Sequence, residues 1–157
     1  MRTARAGAHL LEHRVRIRVP RGEVWRLVEE PDALMQWVEG LRSVSAPGGA
    51  PGGFSLGATF VQRVRIGPVG STCHGEVTAF EAPSRLSVMV RHRLFELGMS
   101  YAFVAEGRRT EVHCAAAVEG GALGAVLSRG RVEDRISELL VEHLEALRSL
   151  AEGGGGR

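Results

Sequence analysis

RIGPVGSTCHGEVTAFEAPSRLSV, Arg65 to Val88, is the stretch on which the reading of this 157-residue chain turns. Gly67-Pro68 and Ala82-Pro83-Ser84 are turn signals, and the residues between them alternate as a strand does. One face carries Cys73, Gly75, Val77 and Ala79, all small side chains. A core-facing strand built this way leaves space above it. That space either holds a guest molecule or lets another element of the chain approach closely. A pocket is the expectation.

The alternation recurs on both sides of this stretch. From His9 to Val19, the residues Leu11, Val15, Ile17 and Val19 alternate with Arg14, Arg16 and Arg18, the pattern of a half-buried strand. Pro20 stops the ladder, because it offers no N–H. Val24, Leu27 and Val28 then follow a helical period, and Pro31 closes that short helix. Asp32 caps a second helix over Ala33 to Val38. A brief strand over Leu41 to Ala46 leads into the loop APGGAPGG (Ala46 to Gly53). Further strands are expected at 58–66, 70–81, 86–93, 95–105 and 110–119, with turns too short for anything but antiparallel pairing.

After Gly121 the period changes to three and four residues, carried by Leu123, Val126, Leu127, Ile136, Leu139, Leu140, Leu144, Leu147 and Leu150. This is one helix of about 28 residues, or about 42 Å. The order predicts a single α+β domain over residues 1–152, with 153–157 as a flexible Gly-rich tail. A twisted seven-stranded antiparallel sheet wraps around the long helix, and two short helices follow the first strand.

Composition narrows the function classes. Apolar residues make up 44% and charged residues 24%, ordinary globular values. The net charge of +2 is too small to imply a nucleic-acid partner, and all 20 basic residues are arginine. The Arg14, Arg16 and Arg18 stripe lacks interleaved aromatics, so it reads as a solvated sheet face rather than an RNA platform. No signal peptide and no membrane span are visible, which makes a cytoplasmic location the expectation. Cys73 and Cys114 form no disulfide framework. No Gly-x-Ser-x-Gly, P-loop or His-Glu-x-x-His motif occurs, so no metal and no cofactor are expected. The oligomeric state is open, a homodimer included.

At this point a family resemblance enters. VRIRVPRGEVWRLVEEPDALMQWVEG is similar to the opening of the START-related SRPBCC proteins of the polyketide cyclase/dehydrase and lipid-transport type. GEVTAFEAPSRLSV and YAFVAEGRRTEV resemble their later hairpins. RIGPVGSTCHGEVTAFEAP also resembles the branch of that superfamily associated with carbon monoxide dehydrogenase, while Trp37-Val38-Glu39-Gly40 is closer to the cyclase-like branch. The resemblance runs from His9 to Leu150. It implies the helix-grip fold, in which a curved sheet closes on a C-terminal helix around a cavity. It also implies a hydrophobic ligand or substrate (aromatic polyketide-, quinone- or lipid-like), bound as by a carrier or converted as by an aromatase/cyclase or dehydratase.

Alternation then assigns the cavity wall. The expected ligand-contacting residues are Trp37, Phe60, Gln62, Val64, Val90, Met99, Phe103, Cys114, Leu123 and Leu127, around about 300–1,000 Å³. His92 and Tyr101 are the catalytic candidates, polar groups on apolar faces that orient a carbonyl or move a proton. Each has a structural alternative, a neighbouring carbonyl or ordered water as its partner. Trp37 either covers the pocket mouth or anchors the second helix. His143 is expected at the edge of the helix stripe, reaching solvent. Arg131 and Arg135 are expected to pair with Asp134 and Glu138 rather than reach a ligand.

Overall fold

A computed structural model describes residues 9–37, 41–45, 56–57, 59–66, 69–92, 95–119 and 129–154. In chain order the elements are β1 (His9–Ile17), α1 (Arg21–Glu29), α2 (Pro31–Trp37), β2 (Leu41–Ser45), β3 (Thr59–Ile66), β4 (Val69–Glu81), β5 (Arg85–His92), β6 (Phe95–Glu106), β7 (Arg109–Glu119) and α3 (Arg129–Gly154). The sheet order is β1-β7-β6-β5-β4-β3-β2, every pair antiparallel. The first strand lies beside the last, and α1 and α2 carry the chain from one sheet edge to the other. This is an α+β fold with a curved antiparallel sheet and a C-terminal helix, consistent with the helix grip.

Pro31 behaves differently from its expected role. It opens α2 instead of closing α1, because a first-turn residue has no intrahelical acceptor for an N–H and proline lacks one anyway. The Ala33 N–H bonds to the Glu30 carbonyl at 3.0 Å, so the start of α2 is held by backbone rather than by Asp32 as a cap. At the other end of the chain, α3 continues through Gly153 and Gly154, two residues into the expected tail. The Ala46–Gly53 loop, Leu123 and Leu127 lie outside the described residues.

The outer sheet face is polar, as the arginine stripe predicts. Arg14, Arg16 and Arg18 are exposed. Arg16 stands 3.6 Å from Glu106 and 3.9 Å from Glu111, Arg91 stands 3.3 Å from Glu96, and His113 stands 3.2 Å from Glu12. Such exposed pairs contribute little to stability, about 0–1 kcal/mol each.

The inner face meets α3. Leu140, Leu144, Leu147 and Ala151 of the helix are buried with Val15 and Ile17 of β1 and Val112 of β7. Two polar contacts fix the end of this seam. Arg18 donates its backbone N–H to Glu152 Oε2 at 2.9 Å, and buried Thr110 donates its hydroxyl to the Val19 carbonyl at 2.7 Å. Between β6 and β7 the chain reverses through Gly107, whose φ of +64° strains any other residue.

The small residues of β4 now have a partial explanation. Gly75 is paired directly with Phe60 of β3, and a Cβ on Gly75 would stand 2.2 Å from the Phe60 ring. The far end of the ring occupies the place of a Cβ, so at this position the chain fills the space itself. Ala79 is not on the inner face. A register shift between Val77 and Ala79 sets Ala79 opposite Ser87 and turns Phe80 inward, opposite Leu86. Simple alternation fails there because a bulge adds a residue to one strand only.

Gly75→Ala is therefore expected to lower stability by about 1–3 kcal/mol, since Phe60 is only 2% exposed and its ring has nowhere to go. A second substitution, Phe60→Leu, should recover part of that loss. Urea denaturation checks both. An unchanged midpoint for Gly75→Ala would show that the ring does not need the glycine.

Candidate functional site

Directly paired residues share a face, so the registers sort the inner side chains into rows. One row is Val15, Val112 and Phe103; the next is His13, Cys114, Tyr101, Leu86 and Phe80. A third is Leu11, Ala116, Met99, Val88 and Val77, and beyond it come Leu97, Val90, Gly75 and Phe60. Burial is uneven across these rows. The first is sealed, and so is the middle of the second, at Cys114, Tyr101 and Leu86. In the third and fourth rows the small residues Ala116, Val77 and Gly75 are buried, yet Leu11, Met99, Val88 and Leu97 keep exposed surface.

The helix explains this gradient. Glu152 is tied to Arg18, and from that fixed point sixteen residues of α3 span about 24 Å. Seven residues of β1 span about 23 Å, so Ile136 comes level with Leu11. Ile136 is itself half-buried, whereas Leu140, Leu144 and Leu147 are fully packed. The C-terminal half of α3 thus closes the core, and the sheet opposite its earlier turns retains an apolar strip.

An aromatic wall stands where the sealed and open regions meet. Phe103 packs between Trp25 (5.3 Å between ring centroids, planes at 82°) and Tyr101 (6.5 Å, 23°). Trp37 meets Tyr101 edge-on at 6.3 Å and His143 at 6.4 Å. Its indole N–H donates to the Leu27 carbonyl at 2.8 Å. Trp37 therefore anchors α2 to α1 while its ring walls off Tyr101. His143 does not reach solvent as expected. Both its ring nitrogens are buried, because α2 covers the part of the helix stripe that position 143 shares with Leu140 and Leu147. Trp25 donates its buried indole N–H to no acceptor among the described residues.

Tyr101 and Cys114 of this wall are directly paired across β6 and β7, with His13 of β1 opposite Cys114 and His143 against Trp37. Burial holds the Tyr101 hydroxyl well above the ordinary tyrosine range, with the charge and hydrogen bond of Cys114 acting the same way. Burial pushes the Cys114 thiol up to about 12, the hydrogen bond from Tyr101 pulling the other way. Cys73 is also shifted up by burial. Both cysteines are free thiols.

The candidate residues do not all converge. Tyr101 is opposite Leu86, but His92 is opposite Phe95, six residues further along β5. At about 3.3 Å per residue that is about 20 Å, too far for the two to serve one reacting atom. Phe60, Val90, Phe103 and Cys114 are buried in packed positions, and Met99 is the expected contact with open surface. The side chains of Gln62, Val64, Arg131 and Arg135 lie outside the described ones. Val88 and Leu97 were absent from the expected contacts. Their parity with Met99 was visible in the alternation, but the position of the helix along the sheet was not.

Residues 8–152 match the family described as polyketide cyclase / dehydrase and lipid transport. The chain belongs to that family. Among curated proteins none matches. Solved structures similar to this family member include TTHA0849 from Thermus thermophilus, with TM-score 0.75 and 14% identity over 93% of this chain and 99% of that one. A START superfamily protein from Mycobacterium smegmatis matches with TM-score 0.75 and 16% identity, over 92% and 98%. The Zhui aromatase/cyclase from Streptomyces sp. R1128 matches with TM-score 0.72 and 12% identity, over 96% and 94%. At these identities the likeness establishes the fold. No helix among the described residues is long and apolar enough to cross a membrane.

The raised Cys114 pKa has a definite sign. The folded state holds the thiol proton more tightly than the unfolded chain, whose thiol titrates near 9.0. This contribution to stability is complete below pH 9 and is lost as pH rises toward about 12. Cys114→Ala should flatten part of that alkaline decline in urea midpoints. At pH 8, iodoacetamide should label Cys114 at least about 1,000-fold more slowly in the folded protein than in urea. Equal labelling rates would contradict the burial argument.

Proposed function

We propose that this protein binds a hydrophobic small molecule, ring-bearing or lipid-like, between the sheet and the earlier turns of α3, acting as a carrier or binding protein in the cytoplasm. The observation that supports this is the strip of Leu11, Val88, Leu97 and Met99. These are inward-facing apolar side chains on the same face as a fully packed core, yet they keep exposed surface. Apolar surface turned inward and left uncovered favours a guest at about 25 cal/mol per Å² removed from water.

A second reading is an aromatase/cyclase-type enzyme, which the family description includes. One observation favours it: Tyr101 stands one row from the partly exposed Met99, at the end of the apolar strip. Cyclisation of a reactive chain needs shape and one acid–base or orienting group. With His92 about 20 Å away along the sheet, Tyr101 would act alone.

Native mass spectrometry after gentle purification tests the binding reading. The protein is expected to carry, or to take up, a neutral hydrophobic molecule from a panel of quinones, fatty acids and aromatic polyketides. Binding should quench the fluorescence of Trp25 and Trp37, the two tryptophans of the chain. Met99→Trp, which fills the strip, should weaken binding at least about tenfold with little change in melting temperature. A ligand-free mass together with no thermal shift across the panel would defeat the proposal. Turnover of a polyketide that survives in the unmodified protein and vanishes in Tyr101→Phe, with affinity unchanged, would select the enzyme instead.

A further inference from the structure

We propose that this protein self-associates through the outer face of its sheet, two copies packing back to back about a two-fold axis that runs along β6. The inner faces then point away from each other, whatever they bind.

The centre of that face is not the charged surface its arginine-bearing margin suggests. From Gly98 through Ser100 and Ala102 to Val104 the outer side of β6 carries no charge, and Ala115 and Ala117 of β7 extend the neutral surface sideways. Val104 is 48% exposed, one of three large hydrophobic side chains so exposed among the described residues. Met89 of β5 folds over Gly98, its methyl 3.5 Å from the place of a Cβ. The central hydroxyls satisfy each other: Ser87 and Ser100 are bonded at 2.9 Å, so covering them strips less water than covering two free groups. The small side chains also sit where the shape requires them. A sheet that wraps a helix is convex outside, so two such faces meet first at an inner strand. Alanine, serine and glycine there let the backbones approach until longer side chains on β1 and β4 reach across.

Charge identifies the occupant as a second copy. Cross-strand register sets Arg14, His113, Ala102, Arg85 and Glu81 in one row from β1 to β4. Arg14 lies two strands from Ala102 on one side, and Glu81 lies two strands from it on the other. Both are exposed, and neither enters an ion pair among the described residues, whereas Arg16, Arg91 and His113 around them do. A two-fold axis through Ala102 along β6 exchanges the two sides, as an isologous interface requires. Each Arg14 then faces the other copy's Glu81, and the match occurs twice. His113 comes opposite Arg85, a contact that Glu12, 3.2 Å from His113, offsets. Five strands at about 4.8 Å and seven residues at about 3.4 Å cover about 570 Å² on each copy. The total, about 1,100 Å², meets the lower bound for a specific interface.

Sedimentation equilibrium on the unmodified protein should show a monomer–dimer equilibrium with a Kd on the order of 10 µM. Ala102→Glu sets two like charges on the axis and should weaken the dimer at least about thirtyfold. The melting temperature of the dilute protein should stay nearly the same, because Ala102 is a partly exposed outer-face residue. Arg14→Glu alone and Glu81→Arg alone should each weaken the dimer about tenfold, since each turns both ion pairs into repulsions. An equal mixture of those two variants should dimerise about as tightly as the unmodified protein, because every facing pair again joins unlike charges. Both positions are exposed, so neither exchange threatens the fold. A chain still monomeric at about 0.5 mM would overturn the proposal, whatever else covers the face. So would a dimer indifferent to Ala102→Glu, or a mixture of the charge variants no tighter than either alone.

Discussion

The structure depends on the clamp between the C-terminal half of α3 and the sheet. Leu144 and Leu147, with no exposed surface, lie in the same core as Ile17 and Val112, and Glu152 fixes the helix end to the Arg18 backbone. Burying a leucine contributes about 1.5–3 kcal/mol, so the Leu140, Leu144 and Leu147 set alone approaches the net stability of a small domain. With that much stability concentrated at one end, the other end can keep apolar surface uncovered without unfolding. The packed seam and the partly exposed apolar strip thus lie at different levels along one helix.

The aromatic residues sit at the boundary between those two regions, and their chemistry suits the position. Trp25, Trp37, Tyr101 and Phe103 meet at ring spacings of 5.3 to 6.5 Å, mostly edge-on. Flexible aliphatic side chains placed there would be free to repack, whereas rings pinned by their neighbours are held in place. The Trp37 N–H bond to Leu27 adds a polar anchor to this wall and ties α2 to the same frame.

Much of this architecture was legible in the residues. Alternation located the strands, the Leu140–Leu147 period located the helix, and the arginine stripe marked the outer face. Other features were hidden for physical reasons. The inward turn of Phe80 depends on a bulge opposite Ser87, and one extra residue leaves no mark on composition. The packing of Phe60 on Gly75 depends on cross-strand register, which a single strand does not encode. His143 was read as a stripe-edge group because the pattern of α3 alone does not reveal that α2 lies across it. For the site, residue types and facing were readable, but the pairing of Tyr101 with Cys114 and its distance from His92 required the registers of β5, β6 and β7.

Those registers also show where the sheet is irregular. β1, β7, β6 and β5 pair without a shift, and β1 and β7 are the strands of this half that α3 packs against. Shifts occur between Val77 and Ala79 in β4 and between Leu41 and Ser43 in β2. Bulges increase local twist and bend a strand. α2 stands at the irregular end, touching both β2 and α3. Had the bulges fallen in β1 or β7, the leucine seam would have lost its seat. The two single-residue irregularities therefore fall in strands other than β1 and β7, where the leucine seam of α3 packs.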